Sequence, residues 1–178
     1  MLTLRETKGS PLTHQEMDSN FQSVFGIHNL FYVEDRKPSG TNGGTFASGA
    51  WRTRDLNTII INNISGSSLS NNHIMLPSGN YWCEISPLAQ SVNNHQSRLY
   101  NTTNNNIILM GMSVGSGSSI INSQMVSSIN GFFILQSNST IILQHRCRST
   151  RDDYGFGQAA NFGLYELYSQ IKIWKIGE

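Results

Sequence analysis

From Trp51 to its C-terminus the chain consists of short runs in which apolar and polar residues alternate, each closed by Gly, Asn, Ser or Pro. A side-chain period of two is what a strand with one buried face demands, and a helix cannot satisfy it. "GNYWCEIS" sets Tyr81, Cys83 and Ile85 against Trp82, Glu84 and Ser86, and "HQSRLYN" sets Leu99 against Arg98 and Tyr100. "STIILQHRC" places Ile141, Leu143, His145 and Cys147 on one face, with Ile142, Gln144 and Arg146 on the other. "YSQIKIWKI" opposes Ile171 and Ile173 to Lys172, Trp174 and Ile176. With "WRTRDLNTIII", "HIML", "IILMGMS" and "GFFILQ" this predicts about eight strands at turn-punctuated intervals, the pattern of an antiparallel sandwich or jelly roll. The 178 residues suffice for one well-cored domain.

Three runs, "IILMGM", "NGFFILQ" and the start of "TIILQ", are apolar on both faces. A sandwich strand of a monomer needs one buried face. The second face meets either another subunit or the interior of a thick core, since a large exposed patch invites aggregation.

Charged residues make up only 13% of the chain, about half the usual share, while hydrophobic residues reach 38%. Asn and Ser fill the gap in runs such as "NNISGSSLSNNH", "NTTNNN" and "GSGSSIINS", which read as loops because strand patterns bound them. The formal net charge is +1, with no long basic stretch, which argues against a nucleic-acid partner. No apolar run is long enough to span a membrane, and the first residues offer no apolar signal-peptide core. Cys83 and Cys147 are too few for a disulfide framework and fall in strand patterns as buried free thiols.

Motifs that suggest chemistry do not hold. "GMSVG" (Gly111 to Gly115) matches the spacing of a nucleophile elbow, but a Gly/Ser run follows it where a helix is required. His14, His28, His73, His95 and His145 have no zinc-site spacing, and His95 and His145 read as hydrogen-bonding groups within a sheet or across a subunit seam. The Asn63, Asn101 and Asn138 sequons are expected by chance in so Asn-rich a chain. No catalytic residue, cofactor or metal is expected.

Ahead of the strands stands "GSPLTHQEMDSNF". Thr13 and Glu16 have the spacing of a capping box, Leu12 and Met17 that of a hydrophobic staple, and Gly26 is placed to end the helix. Met17, Phe21 and Val24 form one narrow apolar stripe over about three turns. The stretch resembles a motif near the N-termini of bacteriophage tail-fibre and tail-associated proteins, sharing Gly9, Pro11, Leu12, Thr13, Glu16, Met17, Asp18, Asn20 and Phe21. The rest of the chain resembles the jelly-roll head domains of the tumour-necrosis-factor and complement-globular-head superfamily, through "LPSGNY" (Leu76 to Tyr81) and a penultimate strand "FGLYEL" (Phe162 to Leu167) near the three-fold axis.

The resemblance implies a mainly β fold: an antiparallel jelly roll preceded by one short N-terminal helix and assembled as a homotrimer. Residues 1–28 are the helical stub for trimerisation and virion attachment, 29–50 a Gly/Ser/Thr-rich connector, and 51–178 the head. Met17, Phe21, Val24, Phe162 and Tyr165 are the trimerisation candidates, although the helix can also fold back on its own domain. The expected partners are a second and third copy, other phage tail proteins through the N-terminus, and a host-surface receptor, glycan or envelope component. The protein is expected in the virion after assembly in the bacterial cytoplasm. Candidate receptor contacts lie in loops: Asn93, Asn94 and Asn105, and the charged, aromatic run Arg151, Asp152, Asp153 and Tyr154. Two other readings stand beside this one, a purely structural or connecting trimer and a polysaccharide hydrolase. No carboxylate pair is visible for the last.

Overall fold

The computed structural model describes residues 4–24, 29–115 and 123–177. Two short helices, Arg5–Lys8 (α1) and His14–Val24 (α2), precede the strands Leu30–Lys37 (β1), Arg52–Thr53 (β2), Thr58–Asn62 (β3), Ser68–Ser70 (β4), His73–Leu76 (β5), Gly79–Gln90 (β6), His95–Asn101 (β7), Asn106–Met110 (β8), Gln124–Val126 (β9), Ile129–Leu135 (β10), Ser139–Cys147 (β11) and Glu166–Gly177 (β12). One antiparallel sheet runs β10-β6-β12-β1-β3 with β9 on β6; the other runs β4-β5-β11-β7-β8 with β2 on β11. The chain crosses repeatedly between the sheets, as a jelly roll requires.

The eight expected strands are all present. The additional ones are β1 and the two- or three-residue pieces β2, β4 and β9. The stretch read as a connector contains β1, which lies inside the first sheet between β12 and β3. Its short apolar patch hid a strand whose inner face is finished by a carboxylate: Phe31, Val33 and Asp35 point inward and are all buried.

Among the described residues two helices stand where one was expected. Gly9, in the left-handed region at φ 69°, closes α1 by donating its N–H to the Arg5 carbonyl at 3.0 Å. The Thr13 capping box of α2 is formed: the Glu16 N–H donates to Thr13 Oγ1 at 3.2 Å, and the Thr13 N–H donates to Glu16 Oε2 at 2.7 Å. Lys8 also pairs with Glu16, and these contacts hold that carboxyl down at about 2. Gly26, the side chains of Phe21 and Val24, and the "SGSSIIN" run at 116–122 lie outside the described residues.

The main core fills the space between the sheets with Phe31, Val33, Tyr81, Ile85, Leu99, Ile141, Leu143, Ile171 and Ile173, all fully buried. Each such side chain contributes about 1.5–3 kcal/mol by leaving water. A smaller cluster of Phe46, Ala89, Val92 and Cys147, with Phe156 against it, occupies one end of the sandwich. Between the two clusters the inward positions switch to polar residues: Arg54, His95, Ser97, Ser127, His145 and Ser169 are all buried.

A bulge between Asp35 and Arg36, opposite Ser169 and Leu167, leaves Tyr168 unpaired in the ladder. Tyr168 turns inward and donates its hydroxyl to the Thr41 carbonyl at 2.8 Å. Gly157, at φ 138°, makes room for that ring, and a Cβ there would collide with it.

Candidate functional site

Sheet register fixes which loops share an end. Cys147 pairs with His95, and Ile141 pairs with Asn101. The loops at 91–94 and 148–165 therefore meet at one end, here the tip, while the 102–105 turn lies at the other, the base. Leu30 pairs with Trp174, and Gly177 with Asn80, so the chain also joins the sandwich at the base.

The tip is woven from three segments. Phe46 and Arg151 exchange backbone hydrogen bonds of 2.9 and 3.1 Å. The Gly44 N–H donates to the Asp153 carbonyl at 2.7 Å, and the Gly43 N–H to the Gly157 carbonyl at 2.8 Å. The 91–94 turn joins in, with Ser149 N–H on the Val92 carbonyl and Arg148 N–H on the Asn94 carbonyl.

Six of the seven receptor candidates come together here. Asn93, at φ 58°, donates from Nδ2 to Ser149 Oγ at 2.7 Å, and Asn94 is exposed beside it. Arg151 donates from Nε to the Ser91 carbonyl at 3.3 Å and from its terminal nitrogen to the Tyr154 hydroxyl at 3.4 Å, its guanidinium 5.5 Å from that ring's centre. Asp153, at φ 62°, accepts from Asn42 Nδ2 at 2.6 Å, while Asp152 is exposed. Asn105 is not with them. It lies in the base turn and accepts from the Tyr100 hydroxyl.

Phe162 and Tyr165 do not lie on a penultimate strand. They belong to the loop leading into β12, the last strand, which begins only at Glu166. Pairing cannot extend further back because Asn161 and Gly163 adopt left-handed conformations at φ 56° and 80°. Glu166 fixes this loop instead, its carboxylate accepting from the N–H groups of Gly40, Ala160 and Asn161 at 2.9–3.0 Å. Those three bonds hold its carboxyl below the usual range. The loop so fixed presents Phe162 at 87% and Leu164 at 73% exposure, with the Arg36 guanidinium 4.0 Å over the Tyr165 ring.

Beneath the tip lies a constellation that the sequence reading missed. Arg54 is completely buried and donates to the carbonyls of Leu88 at 2.9 Å and Tyr168 at 3.0 Å and to Ser169 Oγ at 3.1 Å. Its guanidinium packs 4.1 Å over the Phe156 ring, and desolvation lowers it to about 10, so it stays charged. His95 and His145 do bond within a sheet, and they bond each other: Nδ1 of His95 is 2.9 Å from Nε2 of His145. Burial and the Arg54 charge push His95 down to about 4 and His145 well below its ordinary value. The available signals were ones of phase: in "WRTRDL" Arg54 stands two residues before Leu56, and His145 shares a strand face with Leu143 and Cys147.

A second feature lies on the outside. Trp82, Phe132 and Ile134 share the outer face of the first sheet, and Ile107 and Met110 project from the neighbouring edge strand β8; each is 40–51% exposed. Two of the runs apolar on both faces thus expose their second face. The third does not, because Ile142 is buried within the chain itself.

Among the described residues no group of His, Cys, Asp and Glu could hold a metal ion, and no helix is long and apolar enough to cross a membrane. The fold is similar to a solved structure, the globular domain of zebrafish complement 1qA protein. The TM-score is 0.51 at 14% identity, covering 84% of this chain and 97% of that one. No protein-family model matches the chain, and no curated protein matches it.

Proposed function

We propose that this protein is a non-enzymatic, homotrimeric head of a phage tail fibre or spike, attached to the virion through its N-terminal segment and binding a host-surface receptor with its tip loops. The observation that carries this reading is polarity. The chain joins the sandwich at the base, so a head anchored N-terminally turns the 91–94 and 148–165 loops outward. The outer face bearing Trp82, Phe132 and Ile134 and the β8 edge bearing Ile107 and Met110 supply two different surfaces for a head-to-tail contact, the kind that closes into a ring. The phage assignment is supported by the resemblance of the stretch from Gly9 to Phe21 to tail-fibre N-termini. A glycan or envelope component suits a tip that offers amides, Arg151 and exposed aromatic rings.

The test is Arg151→Ala with Tyr154→Ala, followed by light scattering and host-cell adsorption. Trimer mass, about three times the 19.8 kDa chain, should persist while adsorption falls several-fold. A monomer at micromolar concentration refutes the assembly. Unchanged adsorption favours the second reading, a structural or connecting trimer, to which the internal bonds of Arg151 and Asp153 also lend support.

A further inference from the structure

We propose that the His95–His145 pair is an acid-released latch, holding the tip loops closed while it is neutral and freeing them when it takes up a proton. The inference is independent of what the tip binds.

The geometry assigns the protons. One imidazole must donate and the other accept across the 2.9 Å Nδ1–Nε2 contact. His145 is fully buried and its Nδ1 has no hydrogen-bond partner. If His95 were the donor, His145 would carry its own hydrogen on that Nδ1, leaving a buried N–H unsatisfied. The better arrangement has His145 Nε2–H donating to His95 Nδ1, which leaves a bare lone pair on His145 Nδ1. That lone pair is the acceptor open to an added proton within the bonded pair. A proton there finds no acceptor, in a site where an unpaired charge is costly.

The surroundings offer no compensation. Facing the pair, Arg54 of the β2–β3 turn brings a like charge, and it is the outside charge that acts on both rings. Asp35 of β1 and Asp55 act on Arg54. Cys147, two residues on along β11, is pushed up to about 11 by burial and is a neutral thiol. Tyr168 of β12 is a neutral phenol, and Arg52 of β2 pairs with His145 in register but is itself exposed.

The pair is wired to the tip. The His145 ring lies 4.9 Å from Phe46, which stacks at 4.3 Å on Phe156. Phe46 in turn holds Arg151 by the two backbone bonds that close the tip, and Gly155 accepts the Gln90 N–H at 2.9 Å. Repulsion at His145 therefore pushes directly on the residue that pins the 148–157 loop. The main core, lower in the sandwich, is packed from apolar side chains such as Ile85, Leu143 and Ile171.

The test is amide hydrogen exchange, with each rate divided by its intrinsic value, at pH 7 and pH 5. The Phe46, Arg151 and Gln90 amides should open at least tenfold more at pH 5, while those of Ile85 and Ile171 change less than twofold. In the His95→Gln, His145→Phe double variant the acid effect at the tip should vanish, and its persistence overturns the proposal. Should that variant fail to fold, NMR titration of the two imidazoles in the native chain decides. Tip opening that tracks imidazole protonation supports the latch. Opening that does not change between pH 7 and pH 5, or imidazoles that titrate at their ordinary value with the tip closed, refutes it.

Discussion

Replacing Arg54 by Met keeps much of the side-chain length and removes the guanidinium. The two short bonds, to Leu88 O at 2.9 Å and Tyr168 O at 3.0 Å, leave buried carbonyls unsatisfied, at about 1–3 kcal/mol each. The Ser169 hydroxyl can rotate to another acceptor, and the 3.4 Å approach to Phe156 O is too long to weigh heavily. Asp35, buried and already raised by desolvation, keeps only Lys37, whose Nζ lies 3.3 Å away. Against this stands the relief of no longer desolvating a cation, which in some proteins makes an apolar replacement neutral. Here the partners are mostly carbonyls that stay behind, so the losses win, and the net cost is about 3–4 kcal/mol. For a chain of this size that lowers Tm by roughly 10 °C. Thermal and urea unfolding at one fixed protein concentration provide the assay. A variant within 1 kcal/mol of the parent would refute the claim that Arg54 ties β6 and β12 to the β2–β3 turn.

The pH dependence follows from the folded values. His95 sits at about 4 against an ordinary 6.5, so below 6.5 the unfolded state binds more protons. The stabilisation is present above 6.5 and is lost as pH falls towards 4, on the order of 3 kcal/mol from this group. Asp35, shifted upward, offsets part of that loss, and urea unfolding at pH 7, 5.5 and 4.5 that gave a flat profile would contradict it. Gly157→Ala, at φ 138° and against the Tyr168 ring, should cost about 3 kcal/mol from backbone strain and overpacking, read as a lower urea midpoint with an unchanged slope. Cys83 and Cys147 are buried, and burial pushes their thiols up to about 12 and about 11. A thiol reagent at pH 8 should therefore find neither quickly in the native protein and both after denaturation without reductant; finding none after denaturation would mean a linked pair.

The period-two pattern by itself made an antiparallel sandwich or jelly roll legible, because the inward and outward phases of β6, β7, β11 and β12 are a local property of the pleat. The Thr13–Glu16 cap was equally local, since its two partners stand three residues apart. Strand β1 escaped because four apolar residues end in "EDRK", and only the pairing of β1 with β12 and β3 shows that Asp35 faces inward. Sequence composition set Asn105 with Asn93 and Asn94, apart from Arg151 to Tyr154, whereas the structure places Asn93 and Asn94 with that run and Asn105 at the opposite end, because which end of a strand a turn occupies is set by sheet register. The same register brings His95 and His145 into contact across 50 residues and lays Arg54 under Phe156 across 102. Period-two phase marks single members of the buried polar layer, such as Arg54 and His145, as inward, but no local pattern shows which partners satisfy them. Those partners meet only when the two sheets close.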